Sequence, residues 1–352
     1  MLSYQVHDFG KPLAQVIRET PAPQGSEVLL KVSSCGVCHS DVHLHDGYFD
    51  LGGGKRVDLS RAILPARTLG HEIAGVVVAL GPDFGEAQGV KVGDRRVIFP
   101  WIGCGQCSLC VAGQEHLCGA AQAIGVNRDG GFADHLLVPH PRVLLDFAPL
   151  APEHAGTLAC SGLTAYSALK KLGRLGVQDP LLIIGAGGVG LAGIHLALEV
   201  SGVAPIVVEL DKSKWDLARA AGAADVIDPS ADGALKALLK ATAGGVAAAV
   251  DFVGAAGTFD FGVGALRKGG RLISVGLFGG ATTIMPAMLS LKAISIIGSY
   301  VGSLQEMHEL LTIARAGRMP AIPLTQQPLS QATQALDALR EGRVHGRTIL
   351  IP

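Results

Sequence analysis

The 352-residue chain carries 49% hydrophobic and 17% charged residues, 48 glycines and a formal net charge of -1. This composition fits a folded, turn-rich chain and excludes a fibrous or disordered one, and the length corresponds to two domains of roughly 100 to 200 residues. The near-neutral charge gives no electrostatic reason to expect nucleic acid or a membrane as partner.

The N-terminus, M-L-S-Y-Q-V-H-D-F-G, has no basic region followed by an apolar core, so no secretory leader is expected and the cytoplasm is the expected location. Seven cysteines in tight local spacings fit metal thiolates in a reducing compartment better than a disulfide framework. Residues 27–34, E-V-L-L-K-V-S-S, read as a strand that delivers the chain to Cys35 and Cys38. The stretch G-V-C-H-S-D-V-H then packs Cys38, His39, Ser40, Asp41 and His43 into six residues, a density suited to a thiolate-bound metal with neighbours that orient ligands and move protons. Ser40 or Asp41 is expected to cap a short helix here. Residues 46–67, with Pro65 near their end, read as a long polar surface loop near the active site.

Next, T-L-G-H-E places His71 and Glu72 just before Val76–Val78, a β-branched run expected to be a buried strand. Val92–Phe99 supplies another turn and strand, and many short strands with glycine turns suggest a mostly-β, barrel-like first domain. Trp101 either borders a pocket or packs in the core. Cys104, Cys107, Cys110 and Cys118 follow as C-x2-C-x2-C-x7-C. Four thiolates close a tetrahedral zinc site with no room for substrate, so this zinc is structural; an iron-sulfur cluster is the less favoured reading.

From Asp179 strands and helices alternate, the mark of a parallel sheet. The apolar run Leu181–Leu198 is long enough for a minimal membrane span. It holds His195 and five glycines and reads instead as a buried strand plus a helix. Within it, Gly185, Gly187 and Gly190 form a dinucleotide-binding turn. The next strand, P-I-V-V, ends in Glu209, 19 residues after Gly190, where a carboxylate binds the adenosine ribose while the helix start holds the pyrophosphate. Such a carboxylate repels a 2′-phosphate, and the following L-D-K has no arginine, so NAD is favoured over NADP. The plainer reading of Glu209 is a solvated strand end. Further strands follow at 247–253, 271–276 and 293–297, five by position within an expected sheet of six, and beyond Ser303 come two helical stretches and a final strand, R-T-I-L-I.

With these motifs in place, the chain resembles the zinc-containing alcohol dehydrogenases of the medium-chain dehydrogenase/reductase superfamily. G-x-C-H-S-D, G-H-E, the four-cysteine lobe, C-S-G-L-T-A-Y, G-x-G-G-x-G and G-R-T-I-L occur in the family's order over nearly the whole chain. The resemblance implies an α/β fold: a Rossmann domain, residues 162–298, inserted into a mostly-β, barrel-like (GroES-like) catalytic domain formed by 1–161 and 299–352. It implies two zinc ions per chain and NAD, with a catalytic zinc on Cys38, His71 and Cys160 and an open fourth position. Ser40 would take the alcohol proton and pass it through the nicotinamide ribose to His43. Asp41 and Glu72 would orient the ligands, their alternatives being an N-cap and a strand-edge carboxylate. His39 and Arg347 would contact the pyrophosphate as cations. Thr164, Gly185, Gly187, Gly188, Val189, Gly190, Glu209 and Lys214 would complete the cofactor site, although Thr164 and Val189 suit a core equally.

The implied activity is hydride transfer between a zinc-held small alcohol, or its carbonyl, and the nicotinamide, by a homodimer or homotetramer. Related polyol and threonine dehydrogenases usually place a glutamate at the Cys160 position, so the thiolate favours an alcohol dehydrogenase proper. A polyol or amino-alcohol dehydrogenase and a redox-inactive NAD-binding protein of this fold are the alternatives. Cys35 fits no ligand position and reads as a small buried residue, and His45 as a solvated loop residue. The 46–67 segment, with its G-G-G and Lys55, Arg56 and Asp58, is longer than in many family members.

Overall fold

Strand register brings two distant motifs together. Val28–Gly36 and Glu72–Leu80 pair antiparallel, with Cys35 opposite Ile73 and Gly36 opposite Glu72. Cys38 follows the end of the first strand and His71 precedes the start of the second, so the pairing itself sets both at one end of the sheet. Val28, Leu29, Leu30, Val32, Ile73, Ala74 and Val77 bury the two strands, each large side chain contributing about 1.5–3 kcal/mol of transfer free energy.

The structure, a computed structural model, describes residues 1–60, 66–83 and 89–352. It forms two compact units: Met1–Tyr48, Asp58–Leu163 and Gly302–Pro352 in the first, Phe49–Val57 and Thr164–Val301 in the second. The first unit holds a three-stranded sheet (Ala14–Ile17, Leu2–Val6, Arg67–Thr68) and a seven-stranded one. The latter runs Leu144–Asp146, Arg95–Ile98, Glu72–Leu80, Val28–Gly36, Arg347–Ile351, Leu324–Pro328, with His135–Val138 also on Val28–Gly36. Phe99, Phe132, Phe147, Leu69 and Ile73 are among its fully buried side chains.

The second unit holds a six-stranded sheet, in the order Asp225–Ile227, Ile206–Val208, Leu181–Ile184, Val246–Asp251, Leu266–Ser274, Ser295–Gly298, every neighbouring pair parallel. This is the doubly wound arrangement, whose order reverses between Leu181–Ile184 and Val246–Asp251. The apolar run from Leu181 splits into a fully buried strand and the helix Gly188–Ser201. Among the described residues no helix is long and apolar enough to cross a membrane.

Three sequence expectations change. Residues 46–67 are not one loop, since Tyr48–Gly52 and Lys55–Asp58 pair as a hairpin of which Phe49–Val57 belongs to the second unit; Pro65 lies outside the described residues. The helix His39–Asp46 is capped by Cys38, not by Ser40 or Asp41. The short strands Asp225–Ile227 and Leu324–Pro328 had no place in the sequence reading.

A Cβ on Gly190 would run into the carbonyl of Gly185, where the chain passes from strand to helix. Overpacking of this kind costs ~1–3 kcal/mol, so Gly190→Ala is expected to lower the calorimetric unfolding midpoint by several degrees; an unchanged midpoint would show that the turn can relax.

Candidate metal centres and cofactor turn

One buried carboxylate gathers the first cluster. Asp41 is the third residue of its helix and turns back so that Oδ2 accepts from the Cys38 amide at 2.9 Å, the reciprocal half of a capping box. Its Oδ1 accepts from the Gly70 amide at 3.2 Å and lies 3.1 Å from His71 Nδ1. Asp41 and His71 are both fully buried. Gly70 has φ +93°, and a Cβ there would sit 2.5 Å from the Phe132 ring, so glycine is required for its amide to face Asp41.

Cys160 arrives from a π-helical turn, Leu158–Gly162, which follows the helix Pro152–Thr157. Such turns recur at functional sites because the extra residue redirects a side chain. Trp101 donates from Nε1 to the Ala159 carbonyl at 3.0 Å, and its ring centroid lies 5.4 Å from that of His71. Of its two expected roles the structure gives buried packing, directly against the ligand cluster.

The ligand atoms of Cys38, His71 and Cys160 lie within 4.8 Å of one another, and the two Sγ atoms are 3.9 Å apart. A tetrahedral zinc with Zn–S bonds of ~2.3 Å requires sulfurs about 3.8 Å apart. Among the described residues both ring nitrogens of His71 are buried with no hydrogen-bond partner, and Nδ1 lies 3.1 Å from Asp41 Oδ1, an arrangement that suits a metal-bound imidazole backed by a carboxylate. The Cys160 thiol holds Cys38 well below the ordinary thiol range, and Cys38 in turn holds Cys160 well above it. Two thiolates this close in a buried site need a cation between them. The residues present therefore fit zinc.

Behind this cluster lies a buried ion pair. Glu72 Oε1 accepts from Arg347 at 2.8 Å and from the Ser161 amide at 3.1 Å, and Arg347 also donates to the Val37 carbonyl at 3.3 Å. The pair thus holds the backbone next to both Cys160 and Cys38. Glu72 Oε2 is buried without a hydrogen-bond partner, and a Cβ on Gly36 would collide with it. Burial pushes the Glu72 carboxyl up to about 7 against the pull of Arg347.

One expectation needs revision here, and two residues meet surroundings the sequence did not show. Arg347, expected as a pyrophosphate cation, is buried and pairs with Glu72. Burial pushes the His39 imidazole, the other expected pyrophosphate contact, down to about 4. His45 is not solvated: it is buried, with Nε2 2.6 Å from the Lys11 carbonyl and Nδ1 3.0 Å from Arg340. Cys35 is fully buried, as read from the sequence. Ser40 and His43 are both half-buried and three residues apart on the helix, hence on one face. The His43 ring lies 5.9 Å from that of His39, and burial lowers its pKa from the ordinary value.

The second cluster is closed. Cys104, Cys107, Cys110 and Cys118 also place their sulfurs within 4.8 Å of one another, with Cys104–Cys110 at 3.9 Å and Cys107–Cys118 at 3.8 Å. The amides of Cys104 and Ala120 each point at Cys118 Sγ at 3.4 Å. Backbone amides of Gln106 and Cys107 pull Cys104 down to about 6, whereas desolvation drives Cys110 up to about 12. Four thiols this close cannot all ionise without a cation, and the sulfur spacing again matches zinc. Glu115 ties the lobe to the chain beyond it through Arg142, at 2.6 and 2.9 Å, and accepts from the Gly103 amide.

In the second unit, Gly185 takes φ +94°, and Gly187, the N-cap of Gly188–Ser201, is exposed with nothing within 4 Å of a Cβ built on it. That open backbone is the approach a pyrophosphate needs. Glu209 accepts from the Ala186 amide at 2.7 Å and the Asp211 amide at 2.8 Å, so its carboxylate lies against the glycine turn rather than free in solvent. Lys214 lies 3.4 Å from Asp211. Among the described residues the Thr164 hydroxyl is buried without a hydrogen-bond partner, an orphan that a cofactor amide could satisfy, whereas Val189 and Gly188 are half-buried at the helix start. The turn fits a dinucleotide.

Residues 24–147 match the family model described as alcohol dehydrogenase GroES-like domain, and residues 188–316 the one described as zinc-binding dehydrogenase. An NAD-dependent alcohol dehydrogenase of Sulfurisphaera tokodaii is 34% identical over 100% of both chains. Among solved structures, the alcohol dehydrogenase of Aeropyrum pernix superposes with a TM-score of 0.88 at 30% identity over 100% of both chains. Acetophenone reductase from Geotrichum candidum, in complex with NAD, gives 0.85 at 26% identity over 99% of this chain and 97% of that one. The chain belongs to the zinc-containing alcohol dehydrogenases of the medium-chain dehydrogenase/reductase superfamily, with a Rossmann domain set into a GroES-like one. Its class is that of oxidoreductases that use zinc and NAD.

Asp41→Asn is expected to weaken zinc retention at the first cluster by about 10- to 100-fold while the second keeps its metal; chelator-release kinetics check this, and wild-type retention would contradict it. Cys107→Ser should do the converse, lowering thermal stability and opening the 104–118 lobe to protease.

Proposed function

We propose that Cys38, His71 and Cys160 hold the catalytic zinc and that Cys104, Cys107, Cys110 and Cys118 hold a structural one, in an enzyme that interconverts small alcohols and carbonyls with NAD. One contrast carries this reading: the first cluster offers three ligands and the second four, so the first leaves a coordination position for substrate. Zinc at the open site would supply the Lewis acidity that brings a bound hydroxyl's pKa to around 7, and NAD would supply the hydride acceptor. The chain's own residues do the rest. Asp41 and the Glu72–Arg347 pair hold the ligands, acting as positioning residues. Ser40 receives the alcohol proton, and His43, neutral because burial lowers its pKa, accepts it at the outer end of the path. Glu209 binds the adenosine ribose and sets the preference for NAD.

Free thiols in such clusters suit a reducing compartment, which supports a cytoplasmic location. A second copy of the chain is the proposed partner. The edge strand Ser295–Gly298 pairs with one neighbour only among the described residues, and Met285, Leu291 and Tyr300 are exposed near it in the chain; unpaired edges with apolar surroundings are covered by association.

The direct test is a spectrophotometric screen of primary and secondary alcohols, polyols and threonine with NAD and NADP. Turnover of hexanol or benzyl alcohol with NAD is expected, and turnover of sorbitol or threonine alone would move the assignment to a polyol or amino-alcohol dehydrogenase. Glu209→Ala should narrow the NAD over NADP ratio of kcat/KM, and an unchanged ratio would remove Glu209 from the cofactor site. Alcohol oxidation should hold as pH falls through 6.5, the ordinary imidazole value, and decline only below it, where His43 gains a proton. His43→Ala should lower kcat by about 10- to 100-fold and abolish that acid limb; retention of the limb would assign it elsewhere.

A further inference from the structure

The Tyr48–Asp58 hairpin has no part in the metal centres, yet its contacts are specific. Its Asp50–Gly52 backbone lies directly on the loop that follows the strand Leu266–Ser274. A Cβ on Gly52 would overlap the backbone of Gly280 and Ala281, and one on Gly279 would overlap the Asp50 carbonyl. Gly52, Gly279 and Gly280 take φ of +78°, +86° and +113°. Their positive φ values and the lack of side chains let two stretches of backbone touch.

The inner side of the same loop is equally close. Phe278 and Gly279 donate to the carbonyls of Val253 and Gly254 at 3.2 and 3.0 Å, and Gly254 and Gly276 leave no room for a Cβ against each other. Asp251 fixes that inner layer by accepting from the Val253 and Gly254 amides and the Thr258 hydroxyl at 2.9, 3.0 and 2.9 Å. Three layers of backbone are stacked through glycines: Val253–Ala255, Gly276–Ala281 and Asp50–Gly52. The first two leave the carboxyl ends of adjacent parallel strands, Val246–Asp251 and Leu266–Ser274, the edge at which ligands bind in sheets of this kind.

We propose that the hairpin is a positioning element for the nicotinamide cofactor: docked through Gly52 onto Gly279 and Gly280, it holds the Gly276–Ala281 loop in its cofactor-binding form. The proposal rests on the NAD reading above. The loop is exposed at Leu277, Phe278 and Gly280, so the hairpin's backbone supplies its outer support. The same docking fixes Lys55 and Arg56, both exposed on the second strand of the hairpin, in an extended paired conformation that resists protease.

A matched pair of variants separates docking from backbone strain. Gly54 has φ +77°, almost that of Gly52, but nothing lies within 4 Å of a Cβ built on it. Gly52→Val and Gly54→Val therefore carry the same conformational cost, and only the first pushes the hairpin off the loop. Gly52→Val is expected to weaken NADH binding, followed by nicotinamide fluorescence, about 10-fold, and to speed tryptic cleavage at Lys55 and Arg56 by at least about 10-fold. Gly54→Val should leave both within about twofold of wild type. Gly52→Ala supplies a milder step in the same direction should the valine variant fold poorly. Equal behaviour of the two valine variants would overturn the proposal, as would fast cleavage of Gly52→Val with wild-type NADH binding. Neither readout needs alcohol turnover, and failure of the underlying cofactor reading would show separately, as absence of NADH binding by the wild-type protein.

Discussion

The metal-binding half of the protein depends on one buried negative charge. A carboxylate removed from water is costly unless donors surround it, and Asp41 accepts from the Cys38 and Gly70 amides and lies 3.1 Å from the His71 ring. Because these come from two segments of chain, satisfying the charge also fixes the distance between two metal ligands. The demand explains several residues at once. Cys38, just beyond its strand, must stay in extended backbone to cap the helix, and Gly70 must be a glycine. His71 must present the nitrogen that Asp41 does not use.

On the proposed reading the two cysteine clusters divide their tasks by ligand count. Four thiolates would saturate a metal, so the 104–118 lobe would gain a fold from it. Two thiolates and one imidazole would leave it reactive. The Glu72–Arg347 pair adds a second buried support, reaching the backbone beside both thiol ligands. Breaking such a pair leaves an uncompensated buried charge at a cost of about 3–5 kcal/mol, so the site's geometry and the stability of the first unit are held by the same atoms.

Much of this was legible in the sequence because ligand chemistry is written in residue type and spacing. The four-cysteine lobe, the glycine turn and the G-H-E motif each announce a local geometry. Cys160 does not, since a lone cysteine carries no spacing, and only the resemblance to known dehydrogenases drew it in. Contacts between distant residues were invisible. Glu72 and Arg347 are 275 positions apart, and the charge of Arg347 suggested a phosphate rather than a carboxylate partner. The desolvation of His39 and the burial of His45 follow from packing that no local pattern records. The hairpin was read as loop because Lys55–Asp58 is exposed on every residue, with no alternation to mark a strand. Leu324–Pro328, with two glutamines and a terminal proline, hid for the same reason.

The central claim is that this chain builds two unlike zinc sites, one closed by four sulfurs and one left open by two sulfurs and an imidazole. Zinc K-edge X-ray absorption on the zinc-loaded protein tests it most directly. An average of three sulfur ligands per zinc is expected, with imidazole scattering present. An average of four sulfurs without imidazole scattering would contradict it.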